Sequence, residues 1–208
     1  MKTELVFILD KSGSMAGLEA DTVGGFNSIL KKQAAEEGDV SVTTILFSDD
    51  YDLLHDRFPI ATIRPLNVSN YEVGGMTALY DSIGAGVKKI SNVIRHTAEQ
   101  TKVIFIISTD GEENASQRYT QRKIKHLIEG KQNEGWEFLF LGANIDAILA
   151  AGSIGIPKES AVEYIADSVG TEKNFEVVCE AISYMRKGKK LSADWKNDIE
   201  NDVKARKR

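Results

Sequence analysis

The sequence predicts an α/β protein with a three-layer, doubly wound, Rossmann-like sheet that is mostly parallel, with one antiparallel edge strand and helices on both faces. Short apolar runs at residues 5–9, 103–107 and 138–141 alternate with segments in which apolar residues recur every three or four positions. Runs that are apolar almost throughout are typical of strands covered on both faces. Strands that alternate with helices indicate a parallel sheet with right-handed crossovers.

The remaining elements follow from residue type and periodicity. Residues 40–47 are rich in β-branched side chains, which favour a strand. Residues 51–54 come after a turn at Ser48-Asp49-Asp50, so a hairpin with one antiparallel edge strand is predicted. The helical periodicity predicts five helices, near residues 23–30, 79–94, 124–128, 144–151 and 175–185.

Length and composition predict one domain at residues 1–185 with a short appendage. The chain has 208 residues, 42% hydrophobic and 27% charged, as in a folded soluble protein with its own core. Residues 186–208 hold nine Lys or Arg against four Asp or Glu and are predicted to form a charged, net basic tail or helix. This segment is expected to be solvated and not to bind nucleic acid, because Trp195 is its one aromatic residue.

A cytoplasmic location without membrane contact is expected. The N-terminal residues show no signal-peptide pattern, and no apolar run approaches the roughly 20 residues that cross a bilayer. Cys179 is the one cysteine and has apolar neighbours, so it is expected to be a buried thiol. The three histidines, His55, His96 and His126, lie far apart, which argues against a histidine-based catalytic or zinc site.

Oxygen-bearing side chains occur on three predicted loops. The first strand leads into a loop with Asp10, Ser12 and Ser14 at alternate positions. Thr77 follows a glycine pair just before the second helix, and Asp110 follows the most apolar predicted strand. Because ligands of such sheets bind beyond the carboxyl ends of the strands, these five side chains are expected to meet there.

The five side chains are candidate metal ligands. They offer two carboxylates and three hydroxyls, which select Mg²⁺, or alternatively Mn²⁺ or Ca²⁺, over Zn²⁺ or Cu²⁺. Taken singly, each is also a common helix cap or turn former. As a set they favour a cation, because two acids at adjacent strand ends repel each other unless positive charge lies between them. Since Mg²⁺ takes about six oxygens, one position remains for an outside ligand.

The succession Asp-x-Ser-x-Ser, Gly-Gly-x-Thr and Thr-Asp-Gly resembles the metal-ion-dependent adhesion site (MIDAS) of von Willebrand factor type A (vWA) domains. The resemblance covers essentially residues 1–185. It implies that Ser12 and Ser14 bind the metal directly. Asp10 and Asp110 would contact it directly or through water, and Thr77 would join when ligand is bound.

The resemblance also implies a function. The vacant position on the metal would accept a Glu or Asp side chain of a partner protein. The chain is therefore expected to be a divalent-cation-dependent protein-binding module and not an enzyme. Intracellular relatives of this domain type often work beside ring-forming ATPases, so an ATPase-containing assembly is a candidate partner.

Two alternatives stay open. A Mg²⁺-dependent phosphohydrolase of the haloacid dehalogenase type also begins with a strand that ends in aspartate. It normally has a second aspartate two residues later, where this chain has Ser12, which cannot easily transfer the proton. In the other alternative, the cation holds the loops together without an external ligand. A nucleotide-binding Rossmann domain lacks support, because no G-x-G-x-x-G follows the first strand.

Two charged residues near the candidate ligands receive no metal role. Lys11 is expected to point away from the metal. Asp81, four residues after Thr77, is expected to be a solvated helix residue, in preference to an acceptor that supports a metal ligand.

Overall fold

The computed structural model of the chain describes residues 2–97, 100–143 and 145–206. Its strands are β1 (Lys2–Asp10), β2 (Val40–Phe47), β3 (Tyr51–Pro59), β4 (Thr101–Thr109), β5 (Glu137–Ala143) and β6 (Ala161–Tyr164). They form one sheet in the order β3-β2-β1-β4-β5-β6. Every neighbouring pair is parallel except β2 and β3. The predicted fold class, including the antiparallel edge strand, is confirmed.

Helices cover both faces of the sheet, as predicted. They are α1 (Glu19–Ala34), α2 (Leu79–Ile94), α3 (Gln121–Asn133), α4 (Ala147–Ser153), α5 (Ser168–Arg186) and α6 (Asn197–Arg206). Leu5, Phe7 and Leu9 of β1 belong to the core under α1, α5 and α6, whereas Val6 and Ile8 belong to the core under α2, α3 and α4. The helix predicted at 144–151 corresponds to α4, and Asn144 lies outside the described residues. Within those residues, no helix is both long and apolar enough to cross a membrane.

The edge strand β6 and the C-terminal segment that packs on it differ from the sequence prediction. β6 has four residues, too few for a periodic signal, and was not predicted. The segment after α5 packs on it: the buried Lys196 ammonium donates to the backbone carbonyls of Lys158 and Ala161, at 2.7 Å each, and Ile199 is 1% exposed. The expectation of a solvated end is therefore wrong for this segment, of which residues 207 and 208 lie outside the described residues.

Cys179 lies where α5 packs on α1. It is 4% exposed, so the prediction of a buried thiol is confirmed. Its sulfur accepts a hydrogen bond from the Gln33 side-chain amide at 3.5 Å. Burial raises the pKa of the Cys179 thiol, which disfavours the reactive thiolate.

Two adjacent glycines of α1 provide a matched test of the packing between α1 and α5. A Cβ added to Gly25 would lie 2.0 Å from a ring carbon of Phe175, whereas a Cβ on Gly24 would meet no atom within 4 Å. We expect Gly25→Ala to lower the free energy of unfolding by about 1–3 kcal/mol through overpacking. Gly24→Ala should raise it by up to about 1 kcal/mol, because alanine favours a helix more than glycine does. Urea denaturation measures both variants, and equal effects would contradict this packing.

Candidate metal centre

Asp10 ends β1 and is 1% exposed. One of its carboxylate oxygens accepts the backbone N–H of Ser12 at 2.7 Å. The other accepts the hydroxyl of Thr109, at the end of the neighbouring strand β4, at 2.5 Å. The hydroxyl of the buried Tyr71 donates to the backbone carbonyl of Asp10. These contacts fix the Asp10 carboxylate between the loop that follows β1 and the loop that follows β4.

The side chains of Ser12, Ser14 and Asp110 continue from that carboxylate. The hydroxyl oxygens of Ser12 and Ser14 are 3.2 Å apart, and the Ser14 hydroxyl donates to an Asp110 carboxylate oxygen at 2.5 Å. Asp110 is separated by 96 residues from Ser14, but the parallel pairing of β1 with β4 brings the two loops together. The structure thus joins four of the five candidate ligands in one hydrogen-bonded group.

The loop before α2, which contains Gly74 and Gly75, is held against the loop after β1 by backbone hydrogen bonds. The Gly13 N–H donates to the Gly75 carbonyl at 3.0 Å, and the Gly74 N–H donates to the Lys11 carbonyl at 2.9 Å. Gly75 has a φ of 81°, and a Cβ there would lie 2.1 Å from a carboxylate oxygen of Asp49. Both the backbone conformation and the space at this position require glycine.

Thr77 lies on this loop, next to the other hydroxyls. The Cβ position built on Gly111 would be 3.1 Å from the Thr77 hydroxyl and 3.5 Å from the Ser14 hydroxyl. The Thr77 N–H donates to the side-chain oxygen of Asn114 at 2.8 Å, and the Asn114 N–H donates to the Thr77 carbonyl at 3.0 Å. The structure therefore brings all five candidate ligands to one place.

The electrostatics of this place favour a cation. Burial raises the pKa of Asp10, only partly offset by hydrogen bonds from Ser12 and Thr109, and the nearby Asp110 raises it further. Burial also raises the pKa of Asp110, against a lowering by Ser14. Among the described residues, no ion pair involves either carboxylate. Two acids thus share a partly desolvated site without a cationic side chain.

Lys11, the nearest basic residue in the sequence, does not neutralise these acids. Its ammonium is 2.7 Å from the carboxylate of Asp52 on β3. This agrees with the expectation that Lys11 points away from the candidate metal ligands. It also gives Lys11 a structural contact that the sequence analysis did not predict.

The donor set and its spacing fit Mg²⁺. No group of three or more His, Cys, Asp and Glu side chains that could hold a metal occurs in the described part of the chain, so the hydroxyls must complete any ligand set. Octahedral ligands about 2.1 Å from Mg²⁺ lie about 3.0 Å apart. The 3.2 Å between the Ser12 and Ser14 hydroxyls matches this separation.

Asp81 and Glu113 hold the loop that follows β4 against the start of α2. Asp81 is 8% exposed, and its carboxylate accepts three backbone N–H groups of residues 117–119, with shortest distances of 2.8 to 3.0 Å. Glu113 accepts the Tyr80 N–H at 2.8 Å. The expectation that Asp81 is solvated is therefore wrong. Its partners follow it by more than 35 residues, so no local pattern indicates them.

Comparisons with models of protein families and with curated proteins found no match. Among solved structures, the vWF domain of the type V pili tip protein Mfa5 from Porphyromonas gingivalis is similar, with 12% identity and a TM-score of 0.66 over 92% of this chain and 97% of that one. Proximal thread matrix protein 1 from the mussel byssus, with a zinc-occupied MIDAS motif, has 15% identity and a TM-score of 0.63. That match covers 87% of this chain but 46% of the mussel protein's chain.

A third similar structure is the manganese-loaded TRAP protein of Plasmodium vivax, with 15% identity and a TM-score of 0.59 over 84% of this chain and 73% of that one. Identities this low show shared architecture and not shared activity. The architecture agrees with the strand order and helical layers described above. The chain therefore has the von Willebrand factor type A fold.

Proposed function

We propose that the chain is a divalent-cation-dependent protein-binding module. Mg²⁺, or alternatively Mn²⁺ or Ca²⁺, binds to the five candidate ligands and accepts an acidic side chain of a partner protein. These ligands are Asp10, Ser12, Ser14, Thr77 and Asp110. The observation that carries the proposal is the convergence of these oxygens, from three separate loops, at two carboxylates that have no cationic partner in the described part of the chain.

The chain's own residues suit this role. Asp10 is fixed by Thr109 and the backbone, so it offers a preorganised negative charge. Ser12 and Ser14 provide neutral oxygens, so a bound cation keeps more positive charge than it would among carboxylates alone. When bound, the cation supplies the electrostatic attraction for an external carboxylate. The Ser14 side chain is exposed, so this attraction is directed to solvent.

The comparisons support a cation and a binding role. One similar structure has a zinc-occupied MIDAS motif and another is manganese-loaded. A part of the pilus adhesin SpaC from Lactobacillus rhamnosus GG is similar in structure, with 14% identity and a TM-score of 0.66 over 87% of this chain and 30% of that one. These likenesses favour binding over the phosphohydrolase alternative. That alternative predicts Mg²⁺-dependent turnover of a generic phosphate ester that Asp10→Asn abolishes.

The location is the expectation from the sequence, and the partner is proposed on the family resemblance alone. We propose that the chain works in the cytoplasm and that its partner belongs to an ATPase-containing assembly. The partner's contribution is one Glu or Asp carboxylate. Neither a membrane nor a nucleic acid is required by this role.

Thr77→Val tests the binding role separately from the metal. It removes one hydroxyl and keeps the branched shape, and the resemblance assigns that hydroxyl to the liganded state. We expect Mg²⁺ affinity within about threefold of wild type by calorimetry, because in the protein without its partner this hydroxyl is not assigned to the metal and the other oxygen ligands remain. EDTA-sensitive capture of proteins from a native lysate should fall at least tenfold, a loss of about 1.4 kcal/mol.

Thr62→Val is the matched control. Its exposed hydroxyl donates to the Pro59 carbonyl at 2.8 Å, outside the metal centre, so capture should not change. A set of captured proteins that chelation leaves unaltered would contradict the binding role. The cation would then hold the loops together without an external ligand.

A further inference from the structure

A groove with a volume of about 290 Å³ lies beside the candidate metal centre. It is bounded by the first turn of α2, by α4 and by the loop that follows β4. Its lining includes the buried apolar side chains of Leu79, Phe140 and Ile154. Leu149 lines it from α4 and is 70% exposed. The groove thus combines a buried apolar floor with an apolar edge open to solvent.

Gly111 joins the groove to the metal centre. It lines the groove, and the Cβ position on it is in contact distance of the Thr77 and Ser14 hydroxyls. Because glycine has no side chain, nothing projects between the hydroxyls and the groove at this residue. A chain segment bound at the cation through one side chain can therefore place a neighbouring side chain in the groove.

The charge around the groove excludes a second acid, and the apolar surface of the groove favours an apolar side chain. The acids lining it include the exposed Glu112 and Asp146, and none of the described residues that line it is Lys or Arg. A second carboxylate would be repelled there, whereas an apolar side chain would cover Leu149 and the buried floor. Asp146 also accepts the Leu149 N–H at 2.9 Å, which fixes the first turn of α4 and with it the groove's edge.

We propose that this groove is a specificity pocket for a partner segment that carries an aliphatic or aromatic residue at one fixed separation from its metal-binding acid. The inference rests on the proposed function, because the partner's acidic side chain, bound at the cation, positions the rest of the partner segment beside the groove. The occupant is a segment of a partner protein, because the cation selects a carboxylate and the groove excludes a second one. The chain would therefore recognise two features of the partner segment: an acid bound at the cation and an apolar residue that lies over Gly111.

Phage-displayed random peptides, selected on the immobilised full chain in Mg²⁺ and eluted with EDTA, test the proposal. The expected peptides carry an acid and an apolar residue at one separation. In Leu149→Asp, the apolar preference should be lost, and a peptide selected on wild type should bind about tenfold more weakly or worse. Ile148→Asp is the matched control: Ile148 is an exposed apolar residue of α4 that does not line the groove, so the selected peptides should not change.

The outcomes separate this inference from the function on which it rests. Peptides with a common acid but no apolar preference would overturn the pocket and leave the cation-dependent function standing. An apolar preference that survives Leu149→Asp would also overturn the pocket. Failure to select any acid in Mg²⁺ would overturn the proposed function and, with it, the pocket. Mg²⁺ affinity of Leu149→Asp equal to that of wild type shows that the variant is folded.

Discussion

Asp10→Asn should weaken Mg²⁺ binding by about 10–100-fold or more, because even a residue that contacts a metal through a water or another ligand costs 10–100-fold when it is lost. The same substitution should raise the Tm of the metal-free protein by several degrees. Calorimetric titration measures the first effect, and thermal unfolding in EDTA measures the second. The two changes have opposite signs, which a residue with a purely structural role would not give.

The rise in Tm follows from the buried charge. Burial raises the folded-state pKa of Asp10 above its ordinary value of 3.8, so ionisation of this group opposes folding at neutral pH. The wild-type protein in EDTA should therefore gain stability relative to Asp10→Asn as pH falls from neutral through that raised pKa. Asparagine keeps an oxygen that can accept the Ser12 N–H and carries no charge.

Asp50→Asn is the control for this experiment. Asp50 is an exposed acid in the turn between β2 and β3, and its carboxylate accepts the Tyr51 N–H at 2.9 Å. Its substitution should leave Mg²⁺ affinity and Tm in EDTA nearly unchanged. Wild-type affinity in Asp10→Asn would refute the metal role of Asp10, and a lower Tm in EDTA would refute the account of its buried charge.

Asp81→Ala should lower the free energy of unfolding by about 2–4 kcal/mol, because three backbone N–H groups lose a charged acceptor at a largely buried position. For a chain of this size the Tm should fall by roughly 5–15 °C. Mg²⁺ affinity should also fall, by less than in Asp10→Asn, because the loop held by Asp81 begins at the candidate ligand Asp110. Thermal unfolding and calorimetry measure the two effects.

Two further variants serve as comparisons for Asp81→Ala. Asp81→Asn keeps one oxygen acceptor but turns an amide NH2 toward the remaining N–H donors, so it should lose less stability than Asp81→Ala and still be less stable than wild type. Asp56→Ala removes an exposed acid whose partner is Lys89, at 2.7 Å, and should cost at most about 1 kcal/mol. A loss in Asp81→Ala no larger than in Asp56→Ala would contradict the loop-holding role.

The fold class could be predicted because its signals are local. Apolar runs such as 103–107 and the helical periodicity at 79–94 each occur within one element, and their alternation determines the layers. β6 could not be predicted in this way, because four residues give no period. The packing of Lys196 on the carbonyls of Lys158 and Ala161 could not be predicted either, because it depends on where β6 lies.

The convergence of the five candidate ligands could be predicted for a related reason. Its acids follow strong strands, and parallel strands bring their carboxyl ends to one edge of the sheet. Thr109, which holds Asp10, stands inside the recognised Thr-Asp-Gly segment and could have been identified there. The prediction that Asp81 is solvated was wrong because its partners are backbone groups of a distant loop, which the residues around Asp81 do not indicate.

A crystal of the chain grown with Mn²⁺ tests the central claim most directly, because anomalous scattering locates the ion without assumptions about its ligands. The account predicts one strong anomalous peak bonded to the hydroxyls of Ser12 and Ser14, with the carboxylates of Asp10 and Asp110 in direct or water-mediated contact. An ordered site without any peak, at Mn²⁺ concentrations far above that of the protein, would contradict it.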